Sequence, residues 1–376
     1  MKVVVAPKAF AQAVAAAADA ADRKASVPAL RHVFVEAGGG SLAVLGTDLD
    51  RAVRAEAPAD VEEDGAATAP VEVLARLVRN IGAVGDLVIE GDGRGGLLLR
   101  AAAGDFEARL PGIPPEEFPD IRPRETAVAI RVPGRDLAVA LETVEHAVSH
   151  EETRYYLNGV CVWPAGEGAV VLVATDAHRL AEVALTSAEV RGTVPEGGLI
   201  IPRAAVPIVL RIASAAARDD AAVELRFGGG LVAVRHGGLS LVSRLVDGQF
   251  PAYERVMPKG ERPGLRVGRE ALEDAAELVG GWMQAVRSWL VLEAGEGRLT
   301  VRGTDDATAV SRTLPAEGDW RGKVGFNARY VADAMDALEG ESVVLRVGGP
   351  SEPVGIEAPD HPLPVRFVLM PVRIAT

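Results

Sequence analysis

The sequence predicts an α+β protein built from three copies of one domain, and three observations carry that reading. A Thr-Asp pair between two apolar runs appears at Asp48 (LAVLGTDLDRAVRAE), Asp176 (VVLVATDAHRLAEVAL) and Asp305 (RLTVRGTDDATAVSRTL), at intervals of 128 and 129 residues. A Phe-Pro after an acidic or polar pair appears at Phe118-Pro119 and Phe250-Pro251, 132 residues apart. Helix-like segments recur in pairs, from Pro7, Pro133 and Gly268 early in each third and from Pro70, Pro202 and Phe326 in its middle. The period is far longer than a solenoid repeat, so it marks domain triplication. Thirds of about 125 residues have ordinary domain size. The boundaries fall at 1–123, 124–253 and 254–376.

Each element of the first third follows from its residues. Residues 2–6 are apolar and β-branched, so they read as a strand. An Ala-rich helix opens at Pro7, where proline suits the first helical position. Apolar alternation predicts strands at 30–37, 41–46 and 51–57, a second helix from Pro70, and strands at 86–90, 96–101 and 105–110. The third therefore reads as strand, helix and strands, twice over, with mostly antiparallel hairpin connections. Residues 110–124 (LPGIPPEEFPDIRPR) are Pro-rich and aperiodic, which suits a linker. The second and third thirds repeat the plan. The second carries the densest polar cluster: His146, His150, Arg154, Tyr155 and Tyr156.

Bulk composition narrows the function. Hydrophobic residues make up 48% and charged residues 25%, as in a soluble globular chain. No apolar run is long enough to span a bilayer, and MKVVVAPKAF lacks the features of a signal peptide. The single cysteine, Cys161, forms no intramolecular disulfide, which fits a reducing cytoplasm. A formal net charge of −13 argues against gripping nucleic acid by bulk charge, though it leaves room for a local basic surface.

Catalytic sets are missing from the sequence. The six histidines show no metal-ligand spacing with cysteine or with each other. The Gly-rich turns at 38–40 and 93–96 lead to no Gly-Lys-Ser/Thr, so neither is a phosphate loop. Asp48, Asp176 and Asp305 read as corner formers, whose short side chains bond nearby backbone. The composition favours a binding protein over an enzyme, with no metal or cofactor.

Several motifs carry a family resemblance. RYYLNG at 154–159, VATDAHRLA at 173–181 and LVDGQFPAYERVMPK at 245–259 resemble the bacterial β sliding clamp family, the processivity factor of DNA polymerase III. GFNARYVADAMDAL at 325–338 and the ending VLMPVRI at 368–374 agree with it. The resemblance covers the whole chain in order. It implies a head-to-tail homodimer, a six-domain ring around duplex DNA with helices inside and sheets outside. It also implies a clamp-loader ATPase that opens the ring. The DNA polymerase III catalytic subunit and other proteins would dock clamp-binding peptides, and the setting is the cytoplasm, at the nucleoid. A specialised paralogue for repair or inhibitor tolerance is the alternative.

Helix size supports two chains. Six helices spaced about 8–10 Å apart close a circle about 17 Å across, too small for DNA once helix bodies are counted. Twelve leave a hole of about 25 Å, enough for a duplex about 20 Å thick. Topology then holds the DNA, so a modest basic lining suffices.

The family positions give two residue sets. For DNA they are Lys24, Arg79, His150, Tyr155, Tyr156, Arg203, Arg255 and Asn327. As neighbours in a strand, Tyr155 and Tyr156 would divide between core and surface. For a partner-peptide pocket they are Leu157, Thr175, His178, Arg179, Leu180, Pro251, Arg255, Val256, Val368, Met370, Pro371 and Val372. Leu180, Pro251, Val256 and Met370 are expected as an apolar floor, with His178 and Arg179 as polar edges. The chain departs from the family pattern at Glu72 and Ala204, where basic residues are common. It departs also at Ala177, where Gly is usual, and in the extra Ala375-Thr376 tail.

Overall fold

A computed structural model describes residues 1–82, 85–104, 106–119, 121, 125–166, 168–282, 289–304 and 308–373. Asp305 of the third corner and the Ala375-Thr376 tail lie outside the described residues. The chain forms two bodies, residues 1–129 with 211–245, and residues 130–210 with 246–376. Six α-helices appear among the described residues: α1 (Pro7–Ala18), α2 (Val71–Asn80), α3 (Gly134–Glu145), α4 (Val206–Arg218), α5 (Arg269–Gly281) and α6 (Ala328–Asp336).

In the first body, antiparallel strands run in the order Ala222–Gly228, Leu231–His236, Leu239–Arg244, Arg51–Glu63, Lys2–Val5, Leu87–Gly91, Leu97–Ala101 and Glu107–Leu110. His32–Gly38, Ser41–Thr47 and Gly65–Pro70 branch from the long strand Arg51–Glu63. Helices α1 and α2 pack together, and Phe10 and Val14 of α1 are buried with Val33, Val35, Leu42 and Val44. Each such side chain stabilises the fold by about 1.5–3 kcal/mol through burial. The strand Ser41–Thr47 approaches α1 so closely that a Cβ on Gly46 would stand 2.0 Å from the Ala17 carbonyl oxygen.

In the second body, twelve antiparallel strands run from Leu199–Pro202 through Gly159–Pro164, Val170–Thr175, Arg179–Ala184 and Val365–Leu369. The order continues through Val354–Glu357, Ser342–Arg346, Gly264–Gly268, Ala309–Gly318, Arg298–Thr304 and Trp289–Gly295 to Gly322–Asn327. Helices α5 and α6 pack against each other.

The expected elements are present, with three local differences. Strand Gly65–Pro70 was not expected; its sequence GAATAP has too little alternation to announce it. The Tyr155-Tyr156 stretch is not a strand but a 3₁₀ segment, Glu152–Leu157. Helix α4 begins four residues after Pro202, because the Ala205 amide closes a turn on the Pro202 carbonyl (2.8 Å) before helical bonding starts.

Candidate partner-peptide site and DNA-facing residues

The corner at Thr175–Arg179 is built from its own side chains. The Thr175 hydroxyl donates to the Arg179 carbonyl (2.6 Å) and accepts from the Ala177 amide (3.1 Å). Asp176 Oδ1 accepts from the amides of His178 (2.9 Å) and Arg179 (3.0 Å), and its Oδ2 accepts from Arg179 Nε (3.0 Å). Thr47, Asp48 and Arg51 make the same bonds in the first body. Both described corners therefore use the aspartate to shape backbone, which is the role its short side chain favours.

This corner delivers residues to one place. Leu180 pairs with Val368 in register, Arg179 pairs with Leu369, and the Met370 amide donates to the His178 carbonyl (2.9 Å). The Val372 amide in turn donates to the Gly325 carbonyl (2.8 Å). Leu157, Leu180 and Val368 are buried in one apolar cluster with Trp163, Phe250 and Tyr253. Around it stand exposed apolar side chains, Val256 at 46% and Met370 at 37%, with Pro251, Arg255 and His178 also exposed. Pro371 and Val372 are half-buried. Of the four expected floor residues only Leu180 is buried; Pro251, Val256 and Met370 are exposed.

Arg179 is placed differently from a free polar edge. Its Nη1 donates to Asp333 Oδ2 (2.6 Å), its guanidinium carbon lies 4.5 Å from the Tyr330 ring centroid, and its side chain is only 11% exposed. The Arg179 guanidinium thus fastens the corner to α6. The His178 ring stacks on Tyr330 at 6.3 Å between centroids. Tyr330 and Asp333 were missed by sequence reasoning, since only the i, i+3 spacing within α6 places them on one helical face. Burial, then the Asp176 charge, pushes the Tyr330 phenol up. Behind the corner, half-buried His146 packs against Phe367 (5.1 Å), and its Nδ1 lies 3.0 Å from the Thr143 carbonyl. Burial, then the Arg179 charge, pushes His146 down to about 4.

The DNA candidates fall in separate groups. In the first body Lys24 and Arg79 are exposed, and Arg79 lines a cleft of about 210 Å³ between α1 and α2 with Asp19 and Arg23. In the second body Arg203 reaches the Ser149 carbonyl with Nη1 (3.4 Å), which brings it beside exposed His150. Tyr155 is 54% exposed and meets half-buried Tyr156 edge-on at 5.8 Å. Arg255 is exposed at the end of the 3₁₀ turn Tyr253–Arg255. Asn327 caps α6, its Oδ1 accepting from the Arg329 amide (3.0 Å).

Comparison with known proteins agrees across the chain. A family described as the DNA polymerase III beta subunit, N-terminal domain, matches residues 1–122, and its central domain matches 131–252. A beta sliding clamp from Caulobacter vibrioides is 31% identical over 385 aligned positions, covering 100% of both chains. The beta sliding clamp of Escherichia coli K12 is 27% identical over 93% of each. A sliding clamp from Bartonella birtlesii, solved bound to griselimycin, superposes with a TM-score of 0.90 at 28% identity and 100% coverage of both chains. The Caulobacter crescentus clamp gives 0.88 at 29% identity, covering 100% of this chain and 99% of that one. The chain belongs to the bacterial β sliding clamp family, the beta subunit of DNA polymerase III.

Proposed function

We propose that two copies close head to tail into a six-domain ring around duplex DNA, and that the ring tethers the polymerase by peptide docking. The observation that carries this is the full-length structural match to a sliding clamp at a TM-score of 0.90. Each chain contributes three clamp domains, 1–123, 124–253 and 254–376. The ring joins the first domain of one copy to the third of the other, a heterologous contact that closes after two copies. Leu278 on α5, 52% exposed, supports a contact there, as does the terminal strand Glu107–Leu110 of the first-body order. An exposed strand edge invites pairing with another chain.

Lys24, Arg79, His150, Tyr155, Tyr156, Arg203, Arg255 and Asn327 contact the DNA backbone without reading bases. The partner peptide lies on Leu157, Thr175, Leu180 and Val368, between the rim residues Pro251, Arg255, Val256, Met370, Pro371 and Val372 and the corner residues His178 and Arg179. A short peptide buries far less than the ~1,600 Å² of a standard interface, so its affinity is micromolar. The protein performs no chemistry; a loader ATPase supplies the energy of opening. It works in the cytoplasm, at the nucleoid. Light scattering at micromolar concentration tests the assembly: twice the chain mass is expected, and monomer alone overturns the ring.

A further inference from the structure

Three proposed pocket residues, Pro251, Arg255 and Val256, lie on one short exposed segment whose only regular structure is a 3₁₀ turn, Tyr253–Arg255. Such a turn does not hold itself in place. Buried groups fix it. The Tyr253 hydroxyl donates to Glu182 Oε2 at 2.5 Å, and both residues are under 5% exposed. Glu182 Oε1 accepts from Arg366 Nε (2.7 Å) and Nη2 (2.6 Å), and the two residues are register partners on adjacent strands. A buried carboxylate is costly unless neutralised and hydrogen-bonded. Here Arg366 supplies the charge and Tyr253 satisfies the second oxygen. Burial first, then Glu182, pushes the Tyr253 phenol up, so it remains a donor.

The next residue is tied elsewhere. Trp163 Nε1 donates to Glu254 Oε1 (2.7 Å), while the Trp163 ring meets Tyr253 edge-on at 5.5 Å. Consecutive residues are thus held by two strands, Arg179–Ala184 and Gly159–Pro164, and Arg255 and Val256 follow directly. A phenylalanine at position 253 would fill the same space but leave Glu182 Oε2 without that donor. The polar arrangement adds direction, because hydrogen bonds fix angles that packing leaves free. Arg366 also lies two residues before Val368 and four before Met370, on the strand that carries the floor.

We propose that Glu182, Tyr253 and Arg366 form a positioning lock that sets where Pro251, Arg255 and Val256 stand over the floor of Leu157, Leu180 and Val368. The lock raises affinity for the docking peptide without touching it. This rests on the pocket reading above.

The test is a set of double-mutant cycles, read by calorimetry with a synthetic peptide copying the clamp-binding segment of the polymerase III catalytic subunit. Tyr253→Phe removes only the hydroxyl and is expected to weaken binding about fivefold. Val256→Ala weakens binding in the wild-type chain but adds less than about twofold in the Tyr253→Phe background, because the rim is no longer presented. Met370→Ala, one residue past the strand Val365–Leu369, costs the same in both backgrounds. A purely structural role predicts equal cost for Val256→Ala in both, and that result overturns the lock alone. Loss of all effect from Met370→Ala in the wild-type chain overturns the pocket reading and the lock with it. If Tyr253→Phe does not fold, Glu182→Gln carries the same cycles, since it keeps the side-chain shape and leaves no buried charge, Arg366 being 59% exposed.

Discussion

Leu49 and Ala177 occupy the same left-handed position in two copies of one corner, at φ 76° and 74°. A side chain there costs about 1–2 kcal/mol, part of which glycine gives back through unfolded-state freedom. Both side chains are exposed, so neither contributes much packing. Ala177→Gly is therefore expected to stabilise the fold by about 0.5–1 kcal/mol. Urea midpoints measure it, and a lower midpoint would mean the corner is not strained.

Asp333 holds Arg179 at 2.6 Å, and the side chain of Arg179 is almost out of water. Removing the carboxylate leaves a nearly buried guanidinium with one partner fewer. Asp333→Ala should cost about 1.5–3 kcal/mol, the range for hydrogen bonds to charged groups, and Asp333→Asn less. Unchanged urea midpoints for both variants would show that the pair holds nothing.

Two histidines shifted down by desolvation, His146 and His361, make stability fall in mild acid. His146 titrates near 4 when folded, against about 6.5 when unfolded, so between those values the unfolded chain binds more protons. Its contribution is complete above about pH 6.5 and shrinks toward pH 4, by up to about 3 kcal/mol. His361, also shifted down by burial, adds in the same direction. Unfolding of the wild-type chain and His146→Gln at two pH values checks this: the variant should lose part of the slope, and an identical slope would contradict it.

Leu278 is exposed on α5 in a helix whose other long apolar residues, Leu272 and Val279, are fully buried. Leu278→Asp places a charge in the proposed contact between copies. It should shift the chain toward monomer in sizing experiments while leaving its far-ultraviolet circular dichroism unchanged. A variant that remains dimeric places the contact elsewhere.

The triplication was legible because its marker is local: Thr175 and Asp176 bond within four residues, so the corner is written in the residues that form it. Apolar alternation likewise announced most strands. What sequence concealed was distant partnership. Arg179 meets Asp333 across 154 residues, and Tyr253 meets Glu182 across 71. No local pattern marks either pair, so Arg179 was expected as a polar edge without its partner on α6, and the lock was not foreseen. Tyr155-Tyr156 misled in another way. Aromatic residues favour strands, yet these two stand in a 3₁₀ segment in which only Leu157 is buried. Domain boundaries were expected from the repeat period. Strand Arg51–Glu63 of the first third pairs with Leu239–Arg244 of the second, another distant partnership.

The central claim is that this chain holds DNA by encircling it. With a clamp loader and ATP, the protein is loaded on nicked circular DNA, and its retention is followed before and after the circle is cut. A topological clamp stays on the closed circle and slides off the linear ends, with little dependence on sequence. Equal retention on circular and linear DNA would contradict the account.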